Sequence, residues 1–145
     1  MYQFLREWLR ARAERSLPQH LRDARRGEDL AYDHLRRLGY TVVARNYRPR
    51  HGRQELDLIA WDAERLAIIE VKTRASEEFG RPERAVGQQK RRHLIRAAKE
   101  YARRANIDFS RVRFDVVSVL LGGKPKIELY KAAFTAGSMK KRRRF

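Results

Sequence analysis

Glu55-Leu56-Asp57-Leu58-Ile59-Ala60-Trp61 is followed, after Asp62-Ala63-Glu64-Arg65, by Leu66-Ala67-Ile68-Ile69-Glu70-Val71-Lys72. Both are apolar, strand-like runs with charge at alternate positions. A half-buried strand points every other residue to the same face, so Glu55 and Asp57 are expected together, and so are Glu70 and Lys72. A hairpin that only builds a core has no need of three carboxylates and an ammonium on one surface. A metal-dependent nuclease site does.

The register makes this specific. If 62–65 is the turn, Trp61 pairs with Leu66 and paired residue numbers sum to a constant. Asp57 then opposes Glu70, and Glu55 opposes Lys72. Opposed Cβ atoms lie ~5 Å apart, where like charges repel. A divalent cation between them removes the repulsion. Mg²⁺ suits the arrangement, because it takes oxygen ligands at ~2.1 Å, often from one or two carboxylates, and keeps waters and substrate phosphate in its other positions. The alternative is the solvated face of an amphipathic hairpin. Ile59, Trp61, Leu66 and Ile68 share the charged faces, which favours a pocket over an open surface.

The chain has 145 residues, enough for one domain with a modest core. It lacks an apolar run long enough to span a membrane, and charges interrupt the N-terminus too soon for a signal peptide. Cysteine is absent, so disulfides and thiolate metal sites are excluded. The four histidines, at 20, 34, 51 and 93, lack zinc-like spacing. A cytoplasmic location is the default expectation. Formal net charge is +17, with 35 Lys plus Arg against 18 Asp plus Glu. Such an excess predicts attraction to a polyanion, most simply nucleic acid. An anionic membrane surface or ribosomal RNA would be served by the same charge.

Three regions are expected: a basic leader over 1–20, a domain over 21–134, and a basic, disordered tail over 135–145. In the leader, Phe4, Leu5, Trp8 and Leu9 form one short amphipathic stripe. It reads as a loosely docked extra helix, or as a helix for a membrane surface or partner. Leu21–Leu38 is helical, with Ala31, Leu35 and Leu38 buried and Gly39 as its stop. Glu28 falls at the edge of that buried face. It is there as a cation ligand or as a favourable first-turn charge. Strands are expected over 40–47, 112–121 and 126–131, with a polar loop over 73–82 that can move over a site. A second helix, 88–104, has an apolar stripe of Leu94, Ala98, Tyr101 and Ala105. Its Lys90, Arg91, Arg92, Arg96 and Lys99 are expected to face phosphates, with Glu100 the one acid among them.

This order gives an α/β domain, an αβββαβ core whose mixed central sheet is flanked by helices. With Asp57 and Glu70-x-Lys72 on its second and third strands, it resembles the restriction-endonuclease-like fold shared with archaeal Holliday-junction resolvases. More closely, the chain resembles the YraN family of bacterial nuclease-like proteins. The matching pieces are Gly27-Glu28, Glu55–Ala60, Glu70–Arg74, Phe79-Gly80, Ala85-Val86 leading to Lys90-Arg91-Arg92, and Arg113–Val117. The resemblance implies that Glu28, Asp57, Glu70 and Lys72 correspond to the resolvase-type acidic cluster with its lysine.

The expected activity is phosphodiester hydrolysis by an endonuclease acting on nucleic acid, DNA ahead of RNA and branched DNA among the substrates. Asp57 and Glu70 would hold Mg²⁺ or Mn²⁺, with Glu55 or Glu28 as a further or water-mediated ligand. Lys72, an ammonium beside carboxylates, should stay protonated and stabilise charge on the phosphate. A homodimer is admitted. Two rivals stand beside the enzyme: a non-catalytic nucleic-acid-binding module on a nuclease fold, and an interaction protein of the ribosome or membrane surface that uses the basic ends.

Overall fold

The computed structural model describes residues 2–52, 54–76 and 86–138. In chain order these form α1 (Tyr2–Arg15), α2 (Gln19–Arg37), β1 (Thr41–Tyr47), β2 (Leu56–Asp62), β3 (Arg65–Arg74), α3 (Gln88–Arg104), β4 (Val112–Leu120) and β5 (Lys126–Phe134). One five-stranded sheet has the order β1-β2-β3-β4-β5. Only the β3–β4 pair is parallel, joined by the α3 crossover, so the sheet is mixed. This is the expected restriction-endonuclease-like α/β core with one antiparallel strand added at the β4 edge.

The hairpin register is the one read from the sequence: Leu58↔Ile69, Ile59↔Ile68, Ala60↔Ala67 and Trp61↔Leu66. The turn is tighter than expected. Asp62 pairs with Arg65, and Ala63, at φ 49, takes the left-handed conformation of a two-residue turn.

The two faces of the sheet carry separate cores. On one, α2 packs Ala31 and Leu35 over Leu58, Ala60, Ala67, Ile69, Val117 and Val119. On the other, α3 packs Leu94, Ile95, Ala97 and Ala98 over Ile59, Leu66, Ile68, Phe114 and Val116. Two expected core residues lie outside. Leu38, the C-cap of α2, is 54% exposed, and Ala105 is exposed beyond the end of α3. Each stands at its helix's C-terminal boundary, where the buried face has already turned off the sheet.

Gly27, in the middle of α2, is buried against β3. A Cβ there would lie 1.9 Å from Thr73 Oγ1, so only glycine lets α2 come this close to β3. Thr73 and Arg74, expected in the loop, extend β3 by pairing with Val119 and Leu120. The remainder of that loop from residue 77, with the Phe79-Gly80 and Ala85 matches, lies outside the described residues. So does the basic tail from residue 139. β5 runs three residues further than expected, because a bulge lets it continue. Ala132 there has φ 50, and its N–H donates to the buried Asp115 at 2.9 Å. Arg113 donates to both oxygens of Asp115, at 2.8 and 2.7 Å, and also to Asp62 at 2.8 Å. Asp115 therefore serves the fold, held by Arg113, which it shares with Asp62, and by the Ala132 N–H.

Candidate metal and nucleic-acid site

The site forms where the β2–β3 ladder ends. Leu58↔Ile69 is the last pair, and the next step brings Asp57 opposite Glu70. Here the Asp57 side chain takes over from the backbone: its Oδ2 accepts from Val71 N at 2.8 Å. The position is in the C-terminal half of β3, beside the entry to the helix that returns the chain to a parallel neighbour. Open α/β sheets place ligands at such carboxyl ends.

Glu70 is 4% exposed. Its Oε1 receives two ammonium groups, Lys72 at 3.6 Å and the closer Lys90. Its Oε2 is buried with no hydrogen-bond partner among the described residues. Burial pushes the Asp57 carboxyl up to about 8, and the charge of Glu70 adds to the effect. Two acids that resist ionising together, one with an unsatisfied oxygen, are what a divalent cation would stabilise. The fit is for two carboxylates, because among the described residues no three acidic or histidine side chains converge tightly enough to hold an ion by themselves.

Glu28 and Glu55 form a second pair. With the Asn46 amide turned so that its nitrogen faces the acids, it donates to Glu28 Oε2 at 3.3 Å and Glu55 Oε1 at 2.8 Å. Burial raises the Glu28 carboxyl, and Glu55, Asp29 and Glu70 add to this against Arg45. Glu28 in turn raises Asp57. All four acids thus share one electrostatic neighbourhood, in two pairs. Strict alternation fails for Glu55. It precedes β2, pairs with Arg48 at 3.2 Å, and lies with Glu28 on the α2 side, so it does not oppose Lys72. The neighbouring Leu56 packs instead with the α3-side core. The Glu28–Glu55 pair opens into a cleft of about 880 Å³, which Arg10, Arg25, Arg45 and Arg48 also line.

Burial lowers the Lys72 pKa from its ordinary value, and the nearby Lys90 lowers it further, against the pull of Glu70. For Lys90, burial acts against the charge, but Glu70 outweighs it and the pKa is raised.

The five basic residues expected on one phosphate-facing surface divide. Lys90 turns inward to Glu70. Arg91 is half-buried, donating to Val86 O at 2.8 Å with its guanidinium over the Phe134 ring. Arg92, Arg96 and Lys99 are exposed. Glu100 does not offset them, because it is buried and accepts from Arg50 N at 3.1 Å through each oxygen.

One site residue, Asn46, escaped the sequence reading, and another, Lys90, expected to face phosphate, turns to Glu70 instead. Asn46 sits inside a strand with φ 51, a conformation asparagine tolerates better than most residues. A lone Asn in an apolar run was its only signal. Lys90 stands in the first turn of α3 with Arg91 and Arg92, at the end of the helix dipole that repels cations. Three cations at that end signal an anion nearby.

A model of the uncharacterised protein family UPF0102 matches residues 27–119. A UPF0102 protein of Solibacter usitatus is 56% identical over 108 residues, covering 74% of this chain and 82% of its own. One of Koribacter versatilis is 46% identical over 118 residues, covering 81% and 82%. One of Nocardia farcinica is 46% identical over 110 residues, covering 74% and 85%.

Proposed function

This chain belongs to the UPF0102 family, the YraN family, and we propose that it binds nucleic acid and hydrolyses its phosphodiesters as a divalent-metal-dependent endonuclease. One observation carries the proposal: the juxtaposition of Asp57 with Glu70, whose buried Oε2 lacks a hydrogen-bond partner among the described residues. Asp57 and Glu70 would hold Mg²⁺ or Mn²⁺, with Glu28 and Glu55 contributing through water. The ion would supply polarisation of a phosphoryl oxygen and a more acidic bound water.

The chain's own groups do the rest. Val71 N–H fixes the Asp57 carboxylate, so Oδ1 is the oxygen left for a ligand. Lys72 and Lys90 pair with the Glu70 carboxylate and hold positive charge where a phosphate would approach. Such preorganised charge stabilises what develops on the phosphate in the transition state. Arg92, Arg96 and Lys99 lie outside this centre on the same helix and would neutralise flanking phosphates.

A second function, nucleic-acid binding without hydrolysis, draws on a specific contact. Lys90 and Lys72 already neutralise Glu70, so the site has a cation of its own. Incubation with branched, single-stranded and double-stranded DNA and RNA, in Mg²⁺, Mn²⁺ or EDTA, separates the two. Metal-dependent cleavage abolished by Asp57→Asn supports the enzyme. Binding without cleavage of any substrate supports the module.

A further inference from the structure

α1 leaves its apolar side chains uncovered. Phe4 is 81% exposed, Leu5 53%, Trp8 52% and Leu9 51%. At ~100° per residue these four fall within an arc of about 140°. Arg6, Glu7 and Arg10 fall on the opposite side. Arg12 and Arg15 continue the apolar face into the last turn, and the Arg12 guanidinium lies 5.2 Å from the Trp8 ring centroid. The face is therefore apolar along its first half and cationic along its second.

We propose that this face of α1 docks on an anionic lipid bilayer surface, with Phe4, Leu5, Trp8 and Leu9 dipping below the headgroups and Arg12 and Arg15 held among them.

Charge and area select this occupant. A parallel second copy would bring Arg12 and Arg15 against identical arginines, and an antiparallel one would lay them over the partner's apolar half, on a chain whose net charge is already +17. Four partly exposed side chains offer on the order of 500 Å², below the ~800 Å² per partner of a standard protein interface. A bilayer needs no complementary pocket. It accepts a short amphipathic helix by burying aromatic and aliphatic side chains to ~5–10 Å while arginine reaches the headgroups. An anionic leaflet adds an attraction for every cation near its surface. Nothing in this docking depends on the acids of β2 and β3, so its failure and the failure of the nuclease proposal are separate events.

The test uses the full chain carrying Trp61→Phe, which leaves Trp8 as the sole tryptophan. It is titrated with vesicles of phosphatidylglycerol and phosphatidylcholine, with pure phosphatidylcholine vesicles, and with an oligonucleotide. The expected result is a blue shift of Trp8 emission and co-sedimentation with the anionic vesicles only. Adding Phe4→Ser and Leu9→Ser should weaken that partitioning by at least about tenfold, while circular dichroism and Tm confirm an intact fold. Should the serine variant misfold, a collisional quencher placed in the acyl region of the vesicles reads Trp8 depth in the parent. Anionic vesicles that bind with Trp8 still emitting as in water would overturn the proposal, since charge alone would then explain binding. A blue shift with the oligonucleotide and none with vesicles would also overturn it. So would a doubled mass in solution that the serine substitutions abolish.

Discussion

Lys90, in the first turn of α3, forms an ion pair with Oε1 of Glu70 on β3, while Oε2 of the same carboxylate stays buried without a partner among the described residues. One oxygen of this carboxylate is thus paired across the sheet–helix interface, and among the described residues the other is not.

Removing that ammonium exposes the imbalance. Lys90→Met should destabilise the metal-free protein by about 1–2 kcal/mol, because Glu70 keeps only the more distant Lys72. For a chain of this length that is a fall in Tm of roughly 2–8 °C. Mn²⁺ should then restore more stability to the variant than it adds to wild type. Differential scanning calorimetry with and without Mn²⁺ reads both effects. An unchanged Tm would detach Lys90 from the site.

Asp57 should give the metal-free protein an unusual pH profile. Its carboxyl is raised from 3.8 to about 8 by burial and by Glu70. Below 3.8 both folded and unfolded chains hold the proton. Between the two values only the folded chain holds it, so this group's contribution to stability falls as pH rises through the window and is lost above the folded value. Asp57→Asn, which cannot ionise, should raise the metal-free Tm above wild type at pH 8 and much less at pH 4. The same substitution should weaken Mn²⁺ binding in calorimetry. Equal metal affinity for the two proteins would remove Asp57 from the ligand set.

The hairpin was legible because its information is local. Periodicity placed both strands, and a short turn fixed which residues face each other, so Asp57 and Glu70 could be paired by arithmetic. Glu55 was misplaced because alternation ends where a strand ends, and only the contact with Asn46 on β1 shows which side it then takes. Lys90 was read as surface because a helical pattern says which residues share a face, not how far a long side chain reaches. Gly27 was read only as part of a match, since its use depends on Thr73, 46 positions away on another element. In each case the missing term was a contact distant in sequence.

Gly27 should be intolerant of even one methyl group. Gly27→Ala would put its Cβ on Thr73 Oγ1, forcing α2 off β3 and destabilising the protein by about 1–3 kcal/mol. Thr73→Ala opens that space, so the double variant should recover much of the loss in urea unfolding. Additive losses would mean that the contact is not the cause.

Nucleic-acid affinity should be electrostatic and tolerant of sequence. Log affinity should fall linearly with log salt, with a slope near −0.9 per phosphate neutralised on duplex DNA. Replacing Arg92, Arg96 and Lys99 together by alanine should flatten that slope by up to about 2–3, since all three are exposed on α3. Fluorescence anisotropy between ~50 and ~200 mM salt measures it. A slope that does not change would place the binding face elsewhere.

The role of Lys72 separates an enzyme from a binder. Its ammonium lies 3.6 Å from Glu70 Oε1, at the open end of the acid pair and well inside the surface. A group held there would contribute little to the gross affinity of the proposed complex, because the exposed cations of α3 would meet phosphates first. It acts on whatever charge grows at the phosphate nearest Glu70. If hydrolysis occurs there, Lys72→Ala should lower the single-turnover cleavage rate by about 10²–10³. Equilibrium binding should fall by well under tenfold, the effect of losing one phosphate contact among many. Lys72→Arg keeps the charge but not the compact ammonium, so it should recover binding while cleavage stays impaired. Both quantities are measured in Mn²⁺ on the same labelled substrate, with Tm confirming that each variant is folded. Small and equal losses in rate and affinity would make Lys72 a binding contact only, and the acid pair beside it a structural cation site.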